Sequence, residues 1–124
     1  MSDHWEARSA RPMNSGLSEF RVEDEIARLK GEPTWSAGKR NAITLSKGPL
    51  RVVLIVLKAG ARLDEHRARG PMTLQVLSGS IRFRAGETRL ELSTGQLIVL
   101  ESILPHDVEA LADAALLLTL IEAA

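Results

Sequence analysis

At 124 residues the chain is long enough for one hydrophobic core and too short for two ordinary domains. Apolar residues make up 44% and charged residues 26%, and sixteen Lys plus Arg balance sixteen Asp plus Glu, so no basic face emerges to neutralise nucleic-acid phosphates. The absence of cysteine excludes disulfides and thiolate chemistry; with no bilayer-length apolar run and no apolar block at the N-terminus, the expectation is a cytoplasmic protein without membrane association.

Residues 1–17 ("MSDHWEARSARPMNSGL") are polar, broken by Pro12 and Gly16 and without periodicity, and they read as a flexible arm in which His4 is chemically inert. The domain proper then runs over 18–124. "SEFRVEDEIARLKGEP" predicts a short helix over about 19–30: Ser18 is available as a cap, acidic residues crowd the first half, and Lys30 and Gly31 close it before Pro33. Val22, Ile26 and Leu29 form its single apolar stripe. "PTWSAGKRN" reads as a loop in which Trp35 covers a core edge.

From Asn41 onward the texture becomes short β-like runs between turn residues, with strands near 41–46, 51–58, 62–66, 72–78, 80–85, 88–93, 97–101, 105–110 and 114–121. Gly48-Pro49, Gly60, Gly70-Pro71, Gly79, Gly86 and Gly95 punctuate them, which argues for an antiparallel sandwich or barrel rather than βαβ units. "RVVLIVLKAG" is nearly all apolar, as in a strand buried on both faces, with a dimer contact as one source of that burial. In "SIRFRAGETRLEL", Ile81, Phe83, Leu90 and Leu92 point one way and Arg82, Arg84, Arg89 and Glu91 the other, joined as a hairpin. "AALLLTLI" is assigned to a closing strand.

Few residues offer chemistry. Phosphate-cradling glycine loops and nucleophile elbows are both absent from the sequence. Of the three histidines, His66 ends one predicted strand and His106 lies at the start of another, second after Pro105. Their ordinary reading is a strand-end imidazole, bonded for His66 to Asp64 or a backbone carbonyl. Met72, Leu74, Val76, Ile81 and Phe83 would line an apolar interior that suits either core packing or a small hydrophobic ligand. Arg67 and Arg69 read as solvated loop arginines, and Glu101 as a surface residue.

The glycine-histidine spacing over about residues 40–122 resembles the small single-domain cupins, a double-stranded β-helix or jelly-roll barrel. Their first motif runs Gly, five residues, His-x-His, three or four residues, Glu, six residues, Gly; here Gly60 precedes His66 by that interval and "QVLSG" closes at Gly79. Their second motif begins at Gly95, and "ESILPHDVEA" brings His106 into its histidine position. The fold implied is all-β: a cupin jelly-roll barrel of about 40–122 with the short N-terminal helix added. The resemblance further implies that His66 and His106 face one cavity, that the protein pairs as a homodimer, and that a metal site, where present, is held by three histidines and a glutamate.

The departures are specific. The second His falls on Ala68, the Glu on Met72, Pro-x-Gly becomes Glu101-Ser102-Ile103, and the closing Asn becomes Ala110. Strict alternation sets Gln75 opposite Met72; a bulge near Gly70-Pro71 would turn it inward as a weak third ligand, and regular pleating would give Asp64 the same face as His66. Two functional readings lead, beside a third in which a degenerate barrel is kept for its dimer surface. The first is a small-molecule binding barrel with His66, His106 and Gln75 as polar contacts and Met72 and Phe83 as apolar ones. The second is a metal-dependent enzyme of dioxygenase or isomerase type, in which His66 and His106 hold a divalent transition metal (Zn, Fe, Mn or Ni) with Gln75 or Asp64 completing the site.

Overall fold

The computed structural model describes residues 8–9, 16–66, 70–101 and 104–121, with backbone alone at Arg8, Ser9, Glu65 and His66. The flexible-arm reading of 1–17, with His4, lies mostly outside the described residues, as do Arg67, Ala68 and Arg69. Arg8–Ser9 (β1), unforeseen in the sequence, pairs in parallel with the edge of the next strand.

Helix α1 spans Val22–Lys30 and α2 spans Pro33–Gly38. The N-cap of α1 is Arg21 rather than Ser18, with no side-chain capping bond; Glu23, Asp24 and Glu25 supply the negative charge that its first turn favours. The loop expected at 33–38 is instead a helical turn begun by Pro33, whose missing N–H costs nothing at a first helical position. Strands follow at Arg40–Ser46 (β2), Leu50–Leu57 (β3), Arg62–His66 (β4), Met72–Ser78 (β5), Ser80–Ala85 (β6), Thr88–Ser93 (β7), Leu97–Leu100 (β8), His106–Ala110 (β9) and Ala114–Ile121 (β10). They form a six-stranded sheet in the order β1-β2-β3-β10-β5-β8 and a four-stranded sheet in the order β4-β9-β6-β7. This is the all-β jelly-roll architecture expected.

The alternation along each strand decides what the sheets bury. Val53, Ile55 and Leu57 of β3, Met72, Leu74 and Val76 of β5, and Leu116 and Leu118 of β10 face inward, meeting Ile81, Phe83, Leu92, Val108 and Ala110 of the other sheet. The opposite side of β2 and β3 carries Ile43, Leu45, Leu54 and Val56, which the helices cover with Leu29 and Trp35. Asn41 fastens this layer, donating to the Leu29 carbonyl at 3.0 Å and to Glu32 Oε1 at 2.8 Å. The middle of the apolar run of β3 is therefore buried on both faces within its own chain.

The two outer faces differ in kind. On the four-stranded sheet, register aligns Arg62, Glu109, Arg82 and Glu91 across all four strands, and Arg82 reaches Glu109 at 3.2 Å and Glu91 at 3.7 Å. Arg84 Nε donates to Asp107 at 2.9 Å in the next row. The uncovered half of the six-stranded sheet instead exposes Leu50, Leu97, Val99 and Ile121.

The turns are closed tightly. Gly79 joins β5 to β6 at φ +84°, and a Cβ there would collide with the backbone of Asp113 and Ala114. Asp113 in turn accepts the Ala59 N–H at 2.9 Å, tying the β3–β4 turn to the β9–β10 turn.

Candidate functional site

Antiparallel pairing brings the last residues of β4, β6, β8 and β10 and the first residues of β3, β5 and β9 to one end of the barrel. The register pairs there are His66 with His106, Ala85 with His106, Met72 with Leu100, Leu120 with Met72, and Leu120 with Arg51. Residues distant in sequence thus share one mouth.

A bulge sets the histidine pair. Between β4 and β9 the register runs from Leu63–Val108 to His66–His106, so three steps on β4 match two on β9. Without the extra residue, alternation from the buried Leu63 would put His66 on the opposite face from His106; with it, the two stand as direct partners. The same bulge removes the proposed Asp64 ligand, because Asp64 is exposed and not in register with the histidines.

His106 is 1% exposed. Its Nδ1 lies 3.0 Å from the Leu104 carbonyl oxygen. A carbonyl only accepts, so Nδ1 carries the proton in that bond. The Phe83 ring stacks on the imidazole with centroids 5.7 Å apart and planes 24° apart. Two contacts thereby fix the ring's orientation.

Beside this pair opens an apolar cleft of about 290 Å³, lined by Phe83, Ala85, Leu90, Ile98, Leu100 and Leu104, with Thr88 and Val99 at its rim. Its walls belong to both sheets, at the side where β7 and β8 leave the barrel open. Phe83 is the shared element, being both a cleft wall and the histidine's stacking partner.

Met72 faces inward and is buried, as expected. Gln75 does not join it. The stretch Met72–Val76 pleats regularly, in unbroken register with β8 and β10, and leaves Gln75 on the outer face between Leu97 and Leu117. The irregularity in that pairing lies at Ala115/Leu116, too far along to turn Gln75 inward. Glu101 is exposed, in keeping with a surface role.

These placements bear on a metal. A carboxylate position occupied by the Met72 thioether offers a weak donor, Gln75 and Asp64 lie outside, and an imidazole pair alone falls short of the three protein ligands that catalytic sites use. Among the described residues no group of three or more His, Asp or Glu side chains converges. The donor set does not fit the metal centre that the resemblance implies.

Two inward polar groups were missed in the sequence. Thr44 is 2% exposed and in register with Val53, while the half-buried Arg51 shares the inward parity of Val53, Ile55 and Leu57 and has its Nε buried. The available signal was parity: Arg51 opens an apolar strand on its core-facing phase.

No protein-family model and no curated protein matches the chain. Solved structures do. A cupin superfamily protein from Desulfitobacterium hafniense DCB-2 aligns with TM-score 0.66 and 12% identity over 68% of this chain and 78% of its own. A cupin 2 conserved barrel domain protein from Leptotrichia buccalis gives TM-score 0.65 and 27% identity over 69% of this chain and 42% of that one. Salicylate 1,2-dioxygenase from Pseudoaminobacter salicylatoxidans gives 0.69 and 22% over 89% of this chain and 38% of that one. The fold is that of the cupins. Among the described residues no helix is long and apolar enough to cross a membrane.

Proposed function

We propose that this cupin-fold chain is a small-molecule binding barrel, taking a compact, mostly apolar molecule at its mouth with His106 and His66 as the polar contacts. The observation that carries the reading is the cleft of about 290 Å³ whose wall, Phe83, stacks on a buried histidine oriented by the Leu104 carbonyl. A cavity of that size takes a single-ring molecule, and an apolar lining with one oriented imidazole is the usual composition of such a site. The bulge in β4, which makes His66 the direct partner of His106, supports a second imidazole in the same place. Any chemistry done there is proton transfer or hydrogen bonding by imidazole.

The metal-dependent alternative draws on the likeness to salicylate 1,2-dioxygenase, and the thioether of Met72 where the motif has a carboxylate weighs against it. The assembly belongs to the same reading: a second copy pairs across the outer face of β5, β8 and β10, where Leu97, Val99 and Ile121 are exposed while the opposite sheet is laced with ion pairs.

Titration with benzyl alcohol, followed by backbone amide NMR, tests the binding site. Shifts concentrated at Phe83, Ile98, Leu100 and His106 are expected, and Ile98→Trp should abolish them by filling the cleft. Shifts scattered over the surface, or unchanged by Ile98→Trp, would contradict the reading.

A further inference from the structure

One row of the four-stranded sheet runs along the mouth: His66, His106, Ala85 and Thr88 stand in register across β4, β9, β6 and β7. Two strand spacings, roughly 10 Å, separate the backbones of His106 and Thr88, and Ala85 between them projects only a methyl group. Ala85 and Thr88 both line the cleft, so the space over the alanine belongs to it. Thr88 shares the strand phase of Leu90 and Leu92, and its hydroxyl is the one polar side-chain group among the described residues that line the cleft.

The charges of the same hairpin lie on the other side of the sheet, where Arg82 pairs with Glu109 and Glu91 and Arg84 with Asp107. Among the described residues no charged side chain lines the cleft. A charged ligand entering it would shed water without meeting a counter-charge, whereas a threonine hydroxyl can donate to or accept from a neutral partner. We infer that the molecule held at the mouth is uncharged and carries a hydroxyl or carbonyl group, which Thr88 Oγ1 meets while the apolar body lies over Ala85 against Phe83. The inference rests on the binding-barrel reading above and adds the ligand's charge state and a residue that selects it.

The test titrates wild type and Thr88→Val at neutral pH with benzyl alcohol, toluene, benzoate and benzylammonium, which share one ring, and reads binding by calorimetry or NMR. Wild type should bind benzyl alcohol about tenfold or more tightly than either ion, the scale of burying an unpaired charge. Thr88→Val keeps the shape of the side chain and removes the hydroxyl. It should lower the ratio of benzyl alcohol to toluene affinity about fivefold, the scale of one neutral hydrogen bond. Valine suits a strand position, and thermal melting checks that the variant folds; were it unfolded, the wild-type selectivity against the two ions would decide. Benzyl alcohol bound no more tightly than benzoate or benzylammonium, or a ratio to toluene unmoved by Thr88→Val, overturns the inference and leaves the binding barrel standing. No probe binding to wild type overturns both.

Discussion

Phe83→Ala separates a wall of a binding site from ordinary filling of a core. The ring is 3% exposed, packs in the main cluster and stacks on His106. Deleting a buried phenyl group costs about 3–5 kcal/mol, the spread reflecting how far the site relaxes. Here one side of the ring already borders the cleft, so truncation enlarges an existing concavity, and the lower end of that range, about 3 kcal/mol, applies. For a chain of 124 residues each kcal/mol corresponds to about 4 °C in Tm, so the variant should melt roughly 12 °C below wild type. The enlarged cleft should then accept benzene. At ten times its Kd, benzene would return about 1.4 kcal/mol, or 5–6 °C, to the variant. Differential scanning calorimetry with and without benzene reads both effects. A loss under about 1 kcal/mol would mean that the ring is not part of the packed interior, and a full loss without rescue would refute the cleft as a ligand seat.

Gly79→Ala should cost about 3 kcal/mol or more, since the left-handed backbone is compounded by a collision with the Asp113 backbone, whereas Gly86→Ala, at φ +59° with open space around it, should cost only about 1 kcal/mol; chemical denaturation of the two variants gives the comparison. Met72→Glu places a carboxylate among aliphatic side chains and should destabilise the protein by roughly 3 kcal/mol in the presence of a chelator. Zinc should raise the melting temperature of that variant more than that of wild type, and equal responses would count against the histidines facing the Met72 row. Val99→Asp, on the exposed outer face, should weaken self-association about 30-fold or more, as read by analytical ultracentrifugation; an unchanged sedimentation profile would place the dimer contact elsewhere.

The strands were legible because their punctuation is chemical. Gly60, Gly79, Gly86 and Gly95 all adopt positive φ at turns, and the apolar phase of β5 and β6 survives in the structure residue by residue. What failed to show was whatever depends on a partner rather than on local pattern. The six residues of α2 are too few to display helical periodicity. The outer side of β3 reads as sticky because nothing local says that Leu29 and Trp35 will cover it. At the site, alternation counted correctly through Met72–Val76 and kept Gln75 outside, yet it misassigned Asp64 because the extra residue between Leu63 and His66 is visible only against β9. Arg51 escaped notice for a related reason: a charged residue at the head of an apolar strand looks like a boundary until Leu120 is seen opposite it.

The account depends on His66 and His106 sharing one ligand-facing mouth. Long-range proton–nitrogen NMR of the histidine rings during a benzyl alcohol titration tests this most directly, because the chain has only three such rings. The rings of His66 and His106 should move together with one apparent Kd while that of His4 stays still. Movement of His106 without His66, or of neither while the ligand demonstrably binds, would contradict the shared site.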